Sequence, residues 1–98
     1  MNSSQITLVC FITAKEETKL LIKDELKYIA SMAQTEMWIV YYYLHISTDD
    51  DRAFIIYENW KDQAALDKHM EQPYLTKFLN KAAEWLDVSI EEKACILL

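Results

Sequence analysis

Hydrophobic positions along the chain change their period several times, and each change predicts a new element of secondary structure. Residues 5–13 are mostly β-branched, apolar or aromatic and contain no breaker, which predicts a first strand. Over residues 16–34, apolar side chains recur at the three- and four-residue steps of one helix face: Ile22, Leu26, Ile29 and Ala33. The lysines beside this stripe alternate with acidic residues, so we interpret them as a solvated helix face rather than an anion-binding edge.

A β-hairpin is predicted next. Residues 37–46 and 52–60 are rich in strong β-formers, and the segment between them consists of serine, threonine and aspartates. Side chains of these types hydrogen-bond to nearby backbone and favour a tight connection that needs no glycine. We therefore expect two antiparallel strands, and we interpret the aspartates as a solvated hairpin tip rather than as a cation site.

Two helices and a last strand complete the predicted order of elements. Asp62 is a suitable N-cap for a short helix ending at Met70, and Pro73 fits the first turn of a longer amphipathic helix. Residues 88–98 return to a strand-like composition. The order predicts an α+β, ferredoxin-like βαββαβ fold with a four-stranded antiparallel sheet. No linker interrupts the chain, which predicts a single domain over residues 1–98.

Both faces of the predicted sheet are apolar. In the second strand, one set of alternate residues includes Ile39, Tyr41 and Tyr43, and the other set includes Tyr42 and Leu44. Three short helices can cover only one face of a four-stranded sheet, and a solvated face normally carries polar residues. An uncovered apolar face of this size exceeds what soluble monomers expose. We therefore predict a homodimer in which two sheets pack face to face.

Composition and charge exclude several classes of function. Ten Lys and Arg against sixteen Asp and Glu give a net charge of −6, which disfavours binding to nucleic acid or to an anionic membrane. The chain has no glycine, so neither a P-loop nor a dinucleotide-binding fingerprint can form. Cys10 and Cys95 lack a CxxC spacing and are expected to be reduced thiols. Without a long apolar run or a signal-peptide pattern, we expect a cytoplasmic protein.

One stretch of the chain resembles a known family. Tyr-Glu-Asn-Trp at residues 57–60 precedes an Ala-Ala-Leu-Asp-Lys-His helix, and Pro73-Tyr74 and Phe78 follow it. This pattern is similar to that of the antibiotic biosynthesis monooxygenase (ABM) domain family. The resemblance implies a dimeric α/β barrel with a small pocket in each subunit between the sheet and its helices. It also implies a chemistry without metal, flavin or other bound cofactor, in which a phenol or quinol loses a proton and its anion reduces dioxygen.

The resemblance and the strand period together supply candidate site residues. His69 lies three positions after Leu66 on the buried side of the short helix, and imidazole is well suited to proton transfer near neutral pH. Glu58 and Trp60 share one face of the third strand with Ile56, and the resemblance implies that this face borders the pocket. We predict that His69, Glu58 and Trp60 are the catalytic residues. We predict that four further residues bind the substrate: Ile56, Leu66, Phe78 and Tyr57.

Each catalytic candidate also has a purely structural interpretation. A buried histidine can be a hydrogen-bonded core residue, and a tryptophan can simply fill the core. Glu58 must find a donor or change its pKa wherever it is buried. It can hold His69 or a backbone amide, or it can act as the proton acceptor itself.

The chain departs from the better-known members of the family at several positions. Ile56 and Leu66 stand where the polyketide-oxidising members carry Asn and Tyr, and Trp38 replaces the family's glycine at the start of the second strand. Haem-degrading members carry an Asn on the first strand, where this chain has Val9 and Cys10, and a haem-ligating His in the last helix. That helix contains no His here, so haem chemistry is disfavoured.

The sequence leaves two functions open. The first is a cofactor-independent monooxygenase, without a metal site, that oxidises a small aromatic, phenolic or quinol-like substrate with dioxygen. The alternative is a non-catalytic homodimer that binds a small apolar molecule or only assembles with itself.

Overall fold

The computed structural model describes residues 5–98, which form four strands and three α-helices. In chain order these are β1 (Ile6–Thr13), α1 (Lys19–Ala33), β2 (Ile39–Ile46), β3 (Ala53–Trp60), α2 (Gln63–Met70), α3 (Pro73–Trp85) and β4 (Glu91–Ile96). A 3-10 turn over Glu16–Thr18 leads into α1. The predicted order of elements is confirmed, and the last strand is shorter than the predicted residues 88–98.

Neighbouring strands of the sheet run antiparallel, in the order β2-β3-β1-β4. The two inner strands pair along their whole length, from Ile6 opposite Trp60 to Thr13 opposite Ala53. β4 pairs with the free side of β1, so the first and last strands of the chain are neighbours. This is the α+β, ferredoxin-like fold that the sequence predicts.

The helices pack on one face of the sheet and enclose the core there. The inner strands contribute alternate residues to it, as the period of a strand requires: Leu8, Cys10, Ile12, Phe54, Ile56 and Trp60. Helix α1 contributes the predicted stripe: Ile22, Leu26, Ile29 and Ala33. Helix α3 contributes Phe78, its buried residue, to the same core. Burial of these apolar side chains is the main favourable contribution to folding.

The other face of the sheet carries aromatic side chains that no helix covers. Tyr41 stacks on Tyr43 and on Tyr57, with ring centroids 5.2 and 5.6 Å apart. Tyr43 is 56% exposed, Phe11 47% and Tyr57 41%. The predicted second apolar face is therefore present in the chain, and the predicted homodimer stays a prediction.

Strict alternation fails at the start of β2. The pairing register with β3 shifts between Ile39 and Tyr41, which indicates a β-bulge. Ile39 packs against the core, while Val40 is 49% exposed. Ile39 therefore does not share the face of Tyr41 and Tyr43, and this part of the sequence interpretation is wrong.

Trp38 explains why β2 begins two residues later than predicted. Its φ angle is 76°, in the left-handed region that favours glycine. The backbone N–H of Lys61 donates to the carbonyl of Trp38 at 3.0 Å, and the Lys61 ammonium lies 3.8 Å from the centre of the indole ring. These contacts hold the residue in a conformation that costs a side chain with a Cβ about 1–2 kcal/mol.

Two sequence predictions reach beyond the described residues. The single domain over residues 1–98 and the missing signal-peptide pattern both include residues 1–4, which lie outside the described residues, and both stay predictions. From residue 5 to residue 98, no helix is both long enough and apolar enough to cross a bilayer.

We expect Trp38→Gly to be more stable than Trp38→Ala by about 1 kcal/mol. Both variants remove the indole ring and its contact with Lys61, so they differ mainly in the backbone, and glycine accepts a positive φ without a Cβ clash. The free energy of unfolding in urea measures the difference. At an ordinary position alanine is more stable than glycine by about 0.5–1 kcal/mol, and that order here would contradict the strain assigned to Trp38.

Candidate active site

Helix α2 positions His69 inside the protein. Asp62 begins the helix as its N-cap, and its side chain accepts the backbone N–H of Ala65 at 2.9 Å. The buried side of the helix then carries Ala65, Leu66 and His69. His69 is only 2% exposed, so its imidazole lies in the interior between the helix and the sheet.

Glu36 and Tyr74 contact one edge of the imidazole. Glu36 lies in the connection from α1 to β2, and its Oε2 is 2.7 Å from Nδ1 of His69. The hydroxyl of Tyr74, in the first turn of α3, donates to the same carboxylate oxygen and lies 3.3 Å from Nδ1. Burial, followed by the hydrogen bond to Glu36, raises the pKa of Tyr74, so its hydroxyl keeps the proton that it donates.

Glu58 and Trp60 contact the other edge of the imidazole. Nε1 of Trp60 donates to Oε1 of Glu58 at 2.7 Å, and Nε2 of His69 lies 3.7 Å from the same oxygen. The indole also stacks on the imidazole, with ring centroids 4.4 Å apart. Trp60 thus fixes both the carboxylate and the ring beside it.

Burial gives Glu58 an unusual pKa for a carboxylate. The side chain is 2% exposed, and its desolvation raises the pKa from 4.5 to about 7, although the hydrogen bond from Trp60 lowers it. The negative charges of Glu92 and Glu36 raise it further. Glu58 therefore changes its protonation state near neutral pH, where it can accept or donate a proton.

A cavity lies between the sheet and the helices, with His69 and Glu58 in its wall. Its volume is about 50 Å³, which holds only a few water molecules. Most of the remaining wall is apolar, including Leu8, Ile12, Leu26, Ile29 and Leu75. Cys10 and Cys95 are both free thiols, and Cys10 lies in this wall, where burial raises its pKa and keeps it neutral.

The exposed members of the wall mark the mouth of the cavity. Met70 at the end of α2 is 36% exposed, and Leu79 of α3 is 38% exposed. Glu92 of β4 is exposed as well. The cavity therefore opens toward the surface between α2, α3 and the edge strand β4.

The structure brings together most of the predicted site residues. Four of them line the cavity: His69, Glu58, Ile56 and Phe78. Trp60 and Leu66 are buried beside it without forming its wall. Tyr57 lies on the opposite face of the sheet, stacked on Tyr41, because consecutive residues of a strand point to opposite faces. Tyr57 therefore does not contact a molecule in this cavity, and the roles of the other six residues stay predictions.

Sequence reasoning missed Glu36 and Tyr74. Tyr74 stands inside the family-like stretch, directly after Pro73, but its position there does not reveal that it contacts Glu36. Glu36 lies in a short connection without periodicity, and its contact with His69 joins residues 33 positions apart. No local pattern marks it, so only the folded arrangement identifies it.

The arrangement is suited to proton transfer at the wall of a small, mostly apolar cavity. Each nitrogen of His69 faces a carboxylate: Glu36 at Nδ1 and Glu58 at Nε2. His69 and Glu58 line the cavity, where most of the other side chains are apolar. Over residues 5–98, no three His, Cys, Asp or Glu side chains are arranged so that they could hold a metal ion.

Known proteins resemble this chain in sequence. Residues 5–81 match the sequence model of the family described as Antibiotic biosynthesis monooxygenase. The protein named Putative monooxygenase YcnE, from Bacillus subtilis, is 26% identical over 86 residues, which cover 88% of this chain and 90% of that protein. Uncharacterized protein sll1783 of Synechocystis is 30% identical over 61 residues, or 62% of this chain, and the chain spans 42% of that protein's length.

A solved structure shares the fold. The crystal structure of PA3566 from Pseudomonas aeruginosa superposes with a TM-score of 0.91, covering 100% of this chain and 98% of that chain. The two sequences are 24% identical, and likeness at this level establishes the fold alone.

Glu58→Gln is expected to flatten the pH dependence of stability. Because the pKa of Glu58 is higher in the folded protein than in the unfolded chain, the wild type loses stability as pH rises from 4.5 through about 7. Glutamine does not ionise, so the variant gains roughly 2–3 kcal/mol relative to the wild type between about pH 5 and pH 9.

Urea unfolding of the variant and the wild type at about pH 5 and about pH 9, at one protein concentration, measures this gain in the free energy of unfolding. Glu17→Gln, at an exposed position in the turn before α1, is the matched control and shows no such gain. An equal stability difference between Glu58→Gln and the wild type at both pH values would show that burial does not raise the pKa of Glu58.

Proposed function

The chain belongs to the antibiotic biosynthesis monooxygenase family, and we propose that it is a cofactor-independent monooxygenase acting on a small aromatic, phenolic or quinol-like molecule with dioxygen. The proposal is carried by His69, which is buried in the wall of an apolar cavity with Glu36 at one nitrogen and Glu58 beside the other. Removal of a phenolic proton needs such an acceptor, shielded from bulk water. The monooxygenase name of the Bacillus subtilis relative supports the same class of reaction.

In the proposed reaction, Nε2 of His69 removes the hydroxyl proton of the substrate. The resulting anion is electron-rich and transfers electrons to dioxygen. For a phenol, one oxygen atom forms a new carbonyl on the ring, and the other leaves as water with the two hydrogens that the phenol loses. The reaction thus converts one phenol and one dioxygen into one quinone and one water, and His69 returns its proton as the water forms.

We propose that Glu58 and Trp60 assist this proton transfer by orienting the ring of His69 and stabilising its charge. Trp60 hydrogen-bonds to Glu58 and stacks on His69, which keeps the ring in one orientation. The pKa of Glu58, about 7, allows this carboxylate to be anionic at neutral pH, where it lies next to the charge that the ring gains in the proton transfer. Ile56 and Phe78, in the cavity wall, are the proposed apolar contacts of the substrate.

The size of the cavity limits the substrate. A volume of about 50 Å³ admits dioxygen or water, whereas pockets for organic ligands usually measure about 300–1,000 Å³. A single-ring substrate therefore requires the side chains of Met70 and Leu79 to rotate outward at the mouth. Both are more than a third exposed, so solvent leaves them room to rotate.

The alternative function is the non-catalytic binding of a small apolar molecule. It is favoured by the aliphatic wall of the cavity, which includes Ile56. The family resemblance places a polar Asn at this position in the polyketide-oxidising members. A thermal-shift screen that finds stabilisation by apolar molecules, without oxygen consumption, would identify this function.

We also propose that a second copy of the chain covers the open face of the sheet, in the cytoplasm. Phe11, Tyr43 and Tyr57 are large exposed side chains of that face. Asn59 lies there too, 4% exposed, and its Nδ2 donates to Thr7 at 2.9 Å. Its Oδ1 has no hydrogen-bond partner among residues 5–98. A donor from a second copy would satisfy this buried oxygen.

His69→Ala is expected to lower the rate of oxygen consumption by about 10²–10⁴-fold, because it removes the proton acceptor. An oxygen electrode measures the rate across a panel of quinols, anthrones and phenols. His45→Ala, which removes an exposed histidine of β2, is the matched control and keeps the wild-type rate. If the wild type consumes oxygen no faster than the uncatalysed reaction with every compound, the chain is not this kind of monooxygenase.

Tyr57→Asp is expected to convert the dimer into a monomer, because it places a charge in the aromatic cluster of the open face. Gel filtration with light scattering measures the mass, which for the wild type is twice that of one chain. Leu20→Asp introduces the same charge at a 71% exposed position of α1, outside the sheet, and leaves the dimer intact. A monomeric wild type would refute the dimer.

A further inference from the structure

Of the polar side chains that contact the imidazole of His69, Glu36 lies closest. Its Oε2 lies 2.7 Å from Nδ1, whereas Oε1 of Glu58 lies 3.7 Å from Nε2. The first distance is that of a hydrogen bond, and the second is too long for one. Glu36 does not line the cavity, so it acts on a molecule bound there through the groups that do, and His69 is the one that it hydrogen-bonds.

We propose that Glu36 is a positioning residue that sets the tautomer of His69, an inference that rests on the proposed role of His69 as proton acceptor. A neutral imidazole carries one proton, on Nδ1 or on Nε2. An ionised carboxylate accepts hydrogen bonds and donates none, so Glu36 selects the ring with its proton on Nδ1. The free lone pair then lies on Nε2, on the side of Glu58 and the cavity.

Tyr74 removes the competing arrangement. Its hydroxyl lies 3.3 Å from Nδ1, and a hydrogen bond donated to that nitrogen would require the ring proton to be on Nε2. The hydroxyl has one proton, and it donates that proton to Oε2 of Glu36. A carboxylate oxygen has two lone pairs, so it accepts both the hydroxyl of Tyr74 and the Nδ1–H of His69.

The same contact stabilises the ring after proton transfer. When Nε2 gains a proton, the imidazole becomes positively charged, and the carboxylate at Nδ1 lies next to that charge. The side chain of Glu36 is 12% exposed and also borders a surface groove formed with Met37, Trp38 and Lys68. This partial exposure distinguishes Glu36 from Glu58, which is 2% exposed.

The first test uses wild-type protein labelled with ¹⁵N at histidine. Long-range proton–nitrogen spectra, recorded at a pH where the rings are neutral, distinguish a protonated nitrogen from an unprotonated one. The chain has two histidines, and the His45→Ala sample assigns the signals. We expect the proton of His69 on Nδ1, and a proton on Nε2 would overturn the inference.

The second test is Glu36→Leu, which is similar in size and carries no hydrogen-bonding group. Without the carboxylate, the hydroxyl of Tyr74 donates to Nδ1, which lies 3.3 Å away, and the ring proton moves to Nε2. We expect this tautomer together with a kcat lowered by about 10²-fold or more. KM stays within about twofold, since Glu36 does not line the cavity.

Glu71→Leu is the matched control, because Glu71 is an exposed glutamate at the end of α2, and it keeps both the tautomer and kcat. An unchanged tautomer in Glu36→Leu would refute the inference, and so would a changed tautomer with an unchanged kcat. If the wild type consumes no oxygen with any substrate, the proposed function fails separately, because the spectra need no substrate and still decide whether Glu36 sets the tautomer.

Discussion

The joint burial of His69 and Glu58 is the constraint on which the rest of the structure depends. A polar group buried without a partner costs roughly 2–7 kcal/mol, so neither side chain is tolerable in so small a core on its own. Trp60 supplies the donor for Glu58 and covers the imidazole ring. Glu36 supplies the partner of Nδ1, and the hydroxyl of Tyr74 donates to Glu36 in turn. The core is therefore assembled around a polar network that joins β3, α2, α3 and the connection after α1.

Strand β3 separates this network from the open face of the sheet. Glu58 and Trp60 point to the helices, while Tyr57 and Asn59 point away from them. A shift of one residue in the pairing with β1 would exchange the two sets and bring tyrosine into the core in place of the carboxylate. The full-length pairing of β1 with β3 opposes such a shift. One register thus fixes both the candidate active site and the proposed interface.

Local patterns are sufficient for most of the fold and for three of the five residues of the polar network: His69, Glu58 and Trp60. The stripe of α1 and the N-cap Asp62 are set by neighbouring residues, so the sequence predicts them, and the helix period places His69 on the buried side. The strand period places Glu58 on the same face as Ile56. The same period places Tyr57 on the opposite face, so it argues against the predicted contact of Tyr57 with the substrate. The bulge after Ile39 and the position of Glu36 beside His69 depend on contacts with distant strands and helices, and no local pattern reports such contacts.

The connection from α1 to β2 shows how backbone strain and site geometry are linked. Its first part is tied to the helix, since the N–H of Glu36 donates to the carbonyl of Ala33 at 3.1 Å. Two residues later, Trp38 takes a positive φ, and Lys61 holds it by a backbone hydrogen bond and by its ammonium over the indole. Such strain persists where surrounding contacts over-determine the conformation. Glycine at position 38 would lower the backbone cost but leave the segment more freedom, and this segment carries the carboxylate that lies within hydrogen-bond distance of His69.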